Sequence, residues 1–193
     1  MGFAYNVDGR ITPVGELLYS KDDIIRLEKI PLINDTLWAY GDGNWYAIFR
    51  YENLILRYDK NFNLTGTIRP ANSRLSLIME EVQNYNPQKL KKPPPLFTDV
   101  KYRNGALYLL TVKTLMRLNV GTGVIEANYE FHADGEGFER VVGRTLNFKT
   151  FTILDDGILI LGPAFVWDHF LMSTQLPGYL QKRVTEKGNR KEN

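Results

Sequence analysis

Cysteine is absent from this chain, and with it go disulfides, thiolate nucleophiles, zinc ribbons and iron–sulfur sites. Histidine is nearly so. The two present, His132 and His169, argue against a histidine-built metal site. No apolar run approaches the ~20 residues that a membrane-spanning helix needs. Charge of one sign is missing as well: 24 basic against 22 acidic residues leave a formal net charge of +2. That is too little to draw a polyanion without a local patch, so a nucleic-acid partner is not expected, and neither is a membrane. The opening "MGFAYNVDGRITPVG" lacks the basic stretch and apolar run of a secretory signal, and Asn6 stands where N-myristoylation wants Ser or Thr. A cytoplasmic location is the expectation. The sequons at Asn34 and Asn63 read as chance occurrences.

What is there is a globular composition and a strand pattern. An apolar fraction of 44% and a charged fraction of 24% over 193 residues suit one domain with a real core. From Thr36 the text runs "TLWAYGDGNWYAIFRYENLILRYDKNFNLTGTIRP". Apolar clusters broken by Gly41-Asp42-Gly43, Tyr51-Glu52-Asn53 and Lys60-Asn61 predict four short antiparallel strands joined by tight turns. A second copy spans Leu96 to Phe131, where Ala106-Leu107-Tyr108 answers Asn44-Trp45-Tyr46 and Met116-Arg117-Leu118-Asn119 answers Leu56-Arg57-Tyr58-Asp59. A third, "FKTFTILDDGILILGPAFVWDHFLM", sets Ile158 to Leu161 in the second-strand place. The first residues, Tyr5 to Ile11, match the end of a unit. With Tyr5, Tyr58, Leu118 and Trp167 equivalent, the offsets are 53, 60 and 49 residues. Four strands at a period of roughly 40 to 50 residues are the signature of propeller blades.

The longest step contains an insertion, residues 71–96. Leu75, Ile78, Met79 and Val82 recur at helical spacing after Asn72 and Ser73, which predicts a helix over about 73–85. The "PQKLKKPPP" that follows predicts an extended connector. Its Lys89, Lys91, Lys92, Pro93, Pro94 and Pro95 form a candidate docking peptide for a proline-reading domain or an acidic partner, or else a plain surface loop. Residues 1–175 are expected to make the β domain and 176–193 a basic, solvated tail carrying Lys182, Arg183, Lys187, Arg190 and Lys191.

The unit "WYAIFRYENLILRYDKNFNLTGTI" resembles the blades of six-bladed propellers of the NHL and TolB-like kind, whose strands read as an apolar stretch, then "I-x-R/V-Y/F-D", then a turn and a short fourth strand. The likeness covers about two thirds of the chain. It implies an all-β partial propeller that binds proteins, peptides or small ligands at one face. About three blades' worth of strands is present, whereas closed propellers need roughly four to eight. The expectation is therefore an obligate assembly, with a second copy of itself or with another protein subunit, or a piece of a longer chain. A closed barrel or sandwich is the alternative architecture.

Chemical candidates are few. "HADGEGFER" gathers His132, Asp134, Glu136 and Glu139, and Asp134, Glu136 and Glu139 could hold calcium or magnesium through oxygen ligands. An acidic loop between blades is the simpler reading. Asp155-Asp156-Gly157 reads as a hairpin turn, and Asp168 and His169, being adjacent on a strand, point to opposite faces. "GDGNW" lacks the Lys-Ser/Thr of a phosphate loop. Trp38, Trp45, Tyr46, Tyr51 and Tyr58 suit either a stacking platform or burial between blades, and strand alternation favours burial. No catalytic residue and no resident cofactor follow from these motifs. The expected function is a non-enzymatic protein-interaction module. The alternative is a metal-dependent hydrolase or lyase whose carboxylates, such as Asp99, Glu136 or Asp155, meet in the funnel of a completed propeller.

Overall fold

The structure is a computed structural model that describes residues 2–5, 11–14, 20, 22, 34–71, 75–77, 79–80, 95–111, 114–130, 148–155, 157–163 and 172–175. The chain divides into two compact units, Met1–His132 and Ala133–Asn193. In the first unit, β1 (Gly2–Tyr5) and β2 (Ile11–Val14) form a two-stranded antiparallel sheet. A four-stranded sheet follows, in sequential order, from β3 (Thr36–Gly41), β4 (Asn44–Phe49), β5 (Ile55–Asp59) and β6 (Leu64–Ile68). A second of the same order consists of β7 (Asp99–Arg103), β8 (Ala106–Leu110), β9 (Thr114–Asn119) and β10 (Ile125–Glu130). In the second unit, β11 (Phe148–Ile153), β12 (Ile158–Pro163) and β13 (Met172–Gln175) make a three-stranded sheet. The expected all-β class is what the chain adopts, with two four-stranded antiparallel sheets. Leu75 to Leu77 and Met79 to Glu80 are helical, inside the predicted helix, and the rest of that prediction lies outside the described residues.

Local chemistry explains the hairpins. Asp42-Gly43 joins β3 to β4 with φ of 47° and 74°, and Asn104-Gly105 joins β7 to β8 with φ of 48° and 73°. Both dipeptides put two residues in the left-handed region, as a type I′ turn demands, and Asp-Gly and Asn-Gly meet that demand at little steric cost. The sharp turn holds the strands in the register Ala39↔Tyr46 and Leu37↔Ile48, and in the second sheet Tyr102↔Leu107 and Val100↔Leu109. Register then decides which side chains share a face, since neighbours along a strand point opposite ways.

In the first sheet, Leu37, Ala39, Tyr46, Ile48, Ile55 and Ile68 share one face by this register. In the second, Val100, Tyr102, Leu107, Leu109, Met116 and Leu118 share one. These two faces make the core together with Tyr51, Leu75, Leu96 and Phe97. The pairing is front to back. Leu107, Leu109, Met116 and Leu118 occupy the places of Trp45, Ala47, Leu56 and Tyr58, which lie on the opposite face of the first sheet. Successive blades of a propeller stack in this same sense, each presenting one face to the unlike face of the next. A sandwich folded from these sheets would have no need to preserve that order.

Specific contacts lock the two sheets. Gly41 lies flat against the Tyr102 ring: a Cβ there would sit 1.8 Å from Tyr102 Cδ1. Tyr102 stacks on Tyr46, with ring centroids 5.7 Å apart, and its hydroxyl donates to Asp42 Oδ2. Arg50 ties three segments, pairing with Asp35 at 3.0 Å, donating from Nε to the Phe97 carbonyl at 3.3 Å, and accepting from the Leu96 amide at 2.7 Å. A parallel bridge between Ala71 and Val124 joins the exit of β6 to the turn before β10. The insertion thus leaves and re-enters at points pinned to the sheets and contributes Leu75 to the core.

Gly41→Ala should cost about 1–3 kcal/mol by overpacking against Tyr102. Combined with Tyr102→Ala it should cost less than the two singles together, because the second change removes what the first collides with. Urea denaturation of the four proteins checks both statements. Burial, and next the bond to the Asp42 carboxylate, push the Tyr102 phenol up to about 12. Its folded value lies above its unfolded value of ~10, so its contribution is intact below pH ~10 and is lost as pH climbs. Tyr46 and Tyr51, also raised by burial, act in the same direction. Thermal melts across alkaline pH should decline from pH ~10 upward, and less steeply in Tyr102→Phe.

Candidate functional site

The "Y/F-D" ending of the repeat does structural work. Asp59 Oδ1 accepts from the amides of Asn61 and Asn63 at 2.8 and 2.9 Å, and Oδ2 accepts from the Asn63 side chain at 2.8 Å. Asn119, its counterpart, accepts from the Gly121 and Thr122 amides at 2.9 and 3.2 Å. Each is an Asx turn that starts the reversal into the fourth strand. The Asn63 side-chain bond, followed by the Asn63 backbone bond, holds the Asp59 carboxyl below the usual carboxylate range. Since asparagine serves equally in the second sheet, this position needs an acceptor oxygen and no charge.

The residues singled out from sequence do not assemble into one described site. Asp134, Glu136 and Glu139 lie outside the described residues, as do His132, Asp168, His169 and the basic tail. Of the segment from Lys89 to Pro95 the structure describes Pro95 alone, half-buried; Lys89, Lys91, Lys92, Pro93 and Pro94 lie outside it. Asp99 accepts from the Val100 amide at 2.8 Å and pairs with Lys101 at 3.3 Å. Asp155 is exposed in the turn before β12, where the Gly157 amide donates to the Leu154 carbonyl. Among the described residues, no three His, Asp or Glu side chains group to hold a metal ion.

The aromatics divide by face. Tyr46 and Tyr51 are buried in the core. On the far face of the first sheet, Trp38 lies 5.9 Å from Tyr58, and Trp45 stacks on Phe62 at 5.5 Å and packs on Tyr40 at 4.7 Å. Tyr58 is buried, Trp38 and Trp45 are half-buried, and Tyr40 is 52% exposed. Phe62 holds φ at 63°, a left-handed conformation costing a bulky residue ~1–2 kcal/mol. Its contacts with Trp45 and Trp38 offset that cost, each such ring pair contributing roughly 0.5–1.5 kcal/mol.

A second feature was not legible as a motif. Between the outer edge of the first sheet and the turn joining β9 to β10 lies a cleft of about 280 Å³. Arg57, Gly66 and Arg69 line one side and Gly121, Thr122 and Gly123 the other, with no carboxylate among the described lining residues. Arg57 Nε is buried without a hydrogen-bond partner. Gly66 makes room for the guanidinium, since a Cβ there would come within 3.2 Å of it. Its counterpart Arg117, by contrast, pairs with Glu126, which also accepts from Asn119 at 2.8 Å. The two copies align Arg57 with Arg117 on sequence alone. That the second has a partner and the first does not follows from the residue at a bulge shared by both fourth strands, Glu126 in one and Thr65 in the other, a position that only the strand pairing locates.

The sequence matches no protein-family profile, and no curated protein matches it. Among solved structures, glutaminyl cyclase of Myxococcus xanthus is similar at 12% identity with a TM-score of 0.43, covering 65% of this chain and 49% of that one. The chain thus spans about half the length of that protein, and a likeness this distant decides neither activity nor ligand.

For the Asx turn, Asp59→Asn should keep the fold near wild-type stability at neutral pH, whereas Asp59→Ala should lower the melting temperature by freeing two turn amides. The Asp59 carboxyl has a folded value below its unfolded ~3.9, so its stabilisation is present above that pH and lost as acid lowers it further. Melts of Asp59→Asn below pH ~4 should accordingly show a shallower decline than wild type.

Proposed function

We propose that this chain is a protein-interaction module, a portion of β-propeller that works by completing its sheets with strands or faces from another subunit, a second copy being the occupant in the purified protein. The observation that supports this reading is the strand count. Two sheets have the full four strands, whereas the sheets before and after them have two and three among the described residues. An incomplete blade has a row of backbone donors and acceptors that a further strand satisfies, and strand addition is a common way for sheets to recruit partners. The far face of the first sheet adds apolar area: the corresponding residues of the second sheet, Leu107, Leu109, Met116 and Leu118, are fully covered by a neighbouring sheet, while Trp45 and Tyr40 retain exposure. A blade added there would repeat the contact already made once within the chain.

Light scattering on a sizing column tests the reading. The expected result is a mass near twice 22.3 kDa that persists on dilution. Tyr40→Glu, at the exposed end of the aromatic face, should shift the population toward monomer while leaving the circular dichroism of the sheets unchanged. A monomer that melts cooperatively at a temperature independent of concentration overturns it.

A further inference from the structure

Comparing the two four-stranded sheets residue by residue isolates one difference with chemical content. In both, the fourth strand carries a bulge. The pairing passes from Tyr58↔Leu64 to Arg57↔Gly66 in the first sheet, skipping Thr65, and from Leu118↔Ile125 to Arg117↔Ala127 in the second, skipping Glu126. Thr65 and Glu126 are therefore the same position. In the second sheet that position supplies the carboxylate that neutralises Arg117. In the first it supplies a hydroxyl that donates to the Arg57 carbonyl at 3.1 Å and leaves the guanidinium without an anion.

We propose that the cleft beside Arg57 binds a small carboxylate ligand, which takes the place that Glu126 fills in the second sheet. Four observations converge on this. The Arg57 Nε is buried without a partner, so the guanidinium has no internal bond that a ligand would have to displace. A guanidinium presents parallel N–H donors that match the two oxygens of a carboxylate. Arg69, exposed at the rim, adds a second positive charge with no acid among the described lining residues to cancel it. The volume, about 280 Å³, suits a molecule of a few heavy atoms near the lower end of ligand pockets. Asp59, two residues along the strand from Arg57, is committed to the amides of its own turn.

The backbone favours a carboxylate over phosphate. A phosphate site in a glycine-bearing turn relies on free amides. Here the Gly121 and Thr122 amides donate to Asn119 Oδ1, that of Gly123 to the Asn119 carbonyl, and that of Val120 to the Gly105 carbonyl. Recognition falls to the arginines.

The test is isothermal titration of the full-length chain with succinate, glutarate and inorganic phosphate at low salt, in wild type, Arg57→Gln and Thr65→Glu. Succinate or glutarate should bind wild type more tightly than phosphate does. Arg57→Gln should weaken that binding roughly ten-fold or more, as loss of a charged hydrogen bond does. Thr65→Glu should abolish it while raising the melting temperature, since it builds in the internal partner that Arg117 already has. Circular dichroism establishes that both variants fold. Absence of heat with either dicarboxylate, phosphate binding as tight as succinate, or undiminished binding in Thr65→Glu would each overturn the proposal.

Discussion

The two four-stranded sheets of the first unit are held by one contact, the packing of the Tyr46, Ile48 and Ile55 face of one sheet on the Leu107, Leu109, Met116 and Leu118 face of the next. Each of these side chains is at most 1% exposed. Full burial of an aliphatic side chain contributes roughly 1.5–3 kcal/mol, against about 1 kcal/mol net for an ordinary hydrogen bond. The apolar faces therefore outweigh the Arg50, Tyr102 and Ala71 links around their rim, which orient the sheets more than they hold them. The cleft at Arg57 is a product of this packing too, since its two walls belong to different sheets.

Within each sheet the backbone is governed by few positions. Asp42-Gly43 and Asn104-Gly105 make the first hairpins, and Asp59 and Asn119 start the last turns. These demand a backbone conformation or an acceptor oxygen rather than one residue type, and so the copies drift in sequence while keeping register. Drift at the remaining positions is where the copies acquire different properties. Leu107 against Trp45 turns a covered aliphatic face into a partly open aromatic one. Glu126 against Thr65 turns a satisfied arginine into an unsatisfied one. Such differences change the chemistry of each sheet without changing its strand order, because neither position sets a turn.

The strands, their grouping into four-stranded units and the equivalence of Arg57 with Arg117 could all be read from the chain. They follow from alternation, turn dipeptides and spacing, which are local properties that survive in a one-dimensional text. The helix in the insertion was legible in part for the same reason. The aromatic residues were less so: alternation separates Tyr46 from Trp45, but not the covered face from the one left partly open, which depends on the neighbouring sheet.

The sequence by itself determined the all-β class, the hairpin turns and the blade-sized repeat, because a two-residue turn and a period of two are enforced by adjacent residues. Tertiary structure alone decided the front-to-back order of the sheets, the flat seating of Gly41 on Tyr102 and the cleft with its unpaired Arg57. Each of these joins residues tens of positions apart, and the bulge that makes Thr65 and Glu126 equivalent positions is a slip of register that no local pattern encodes.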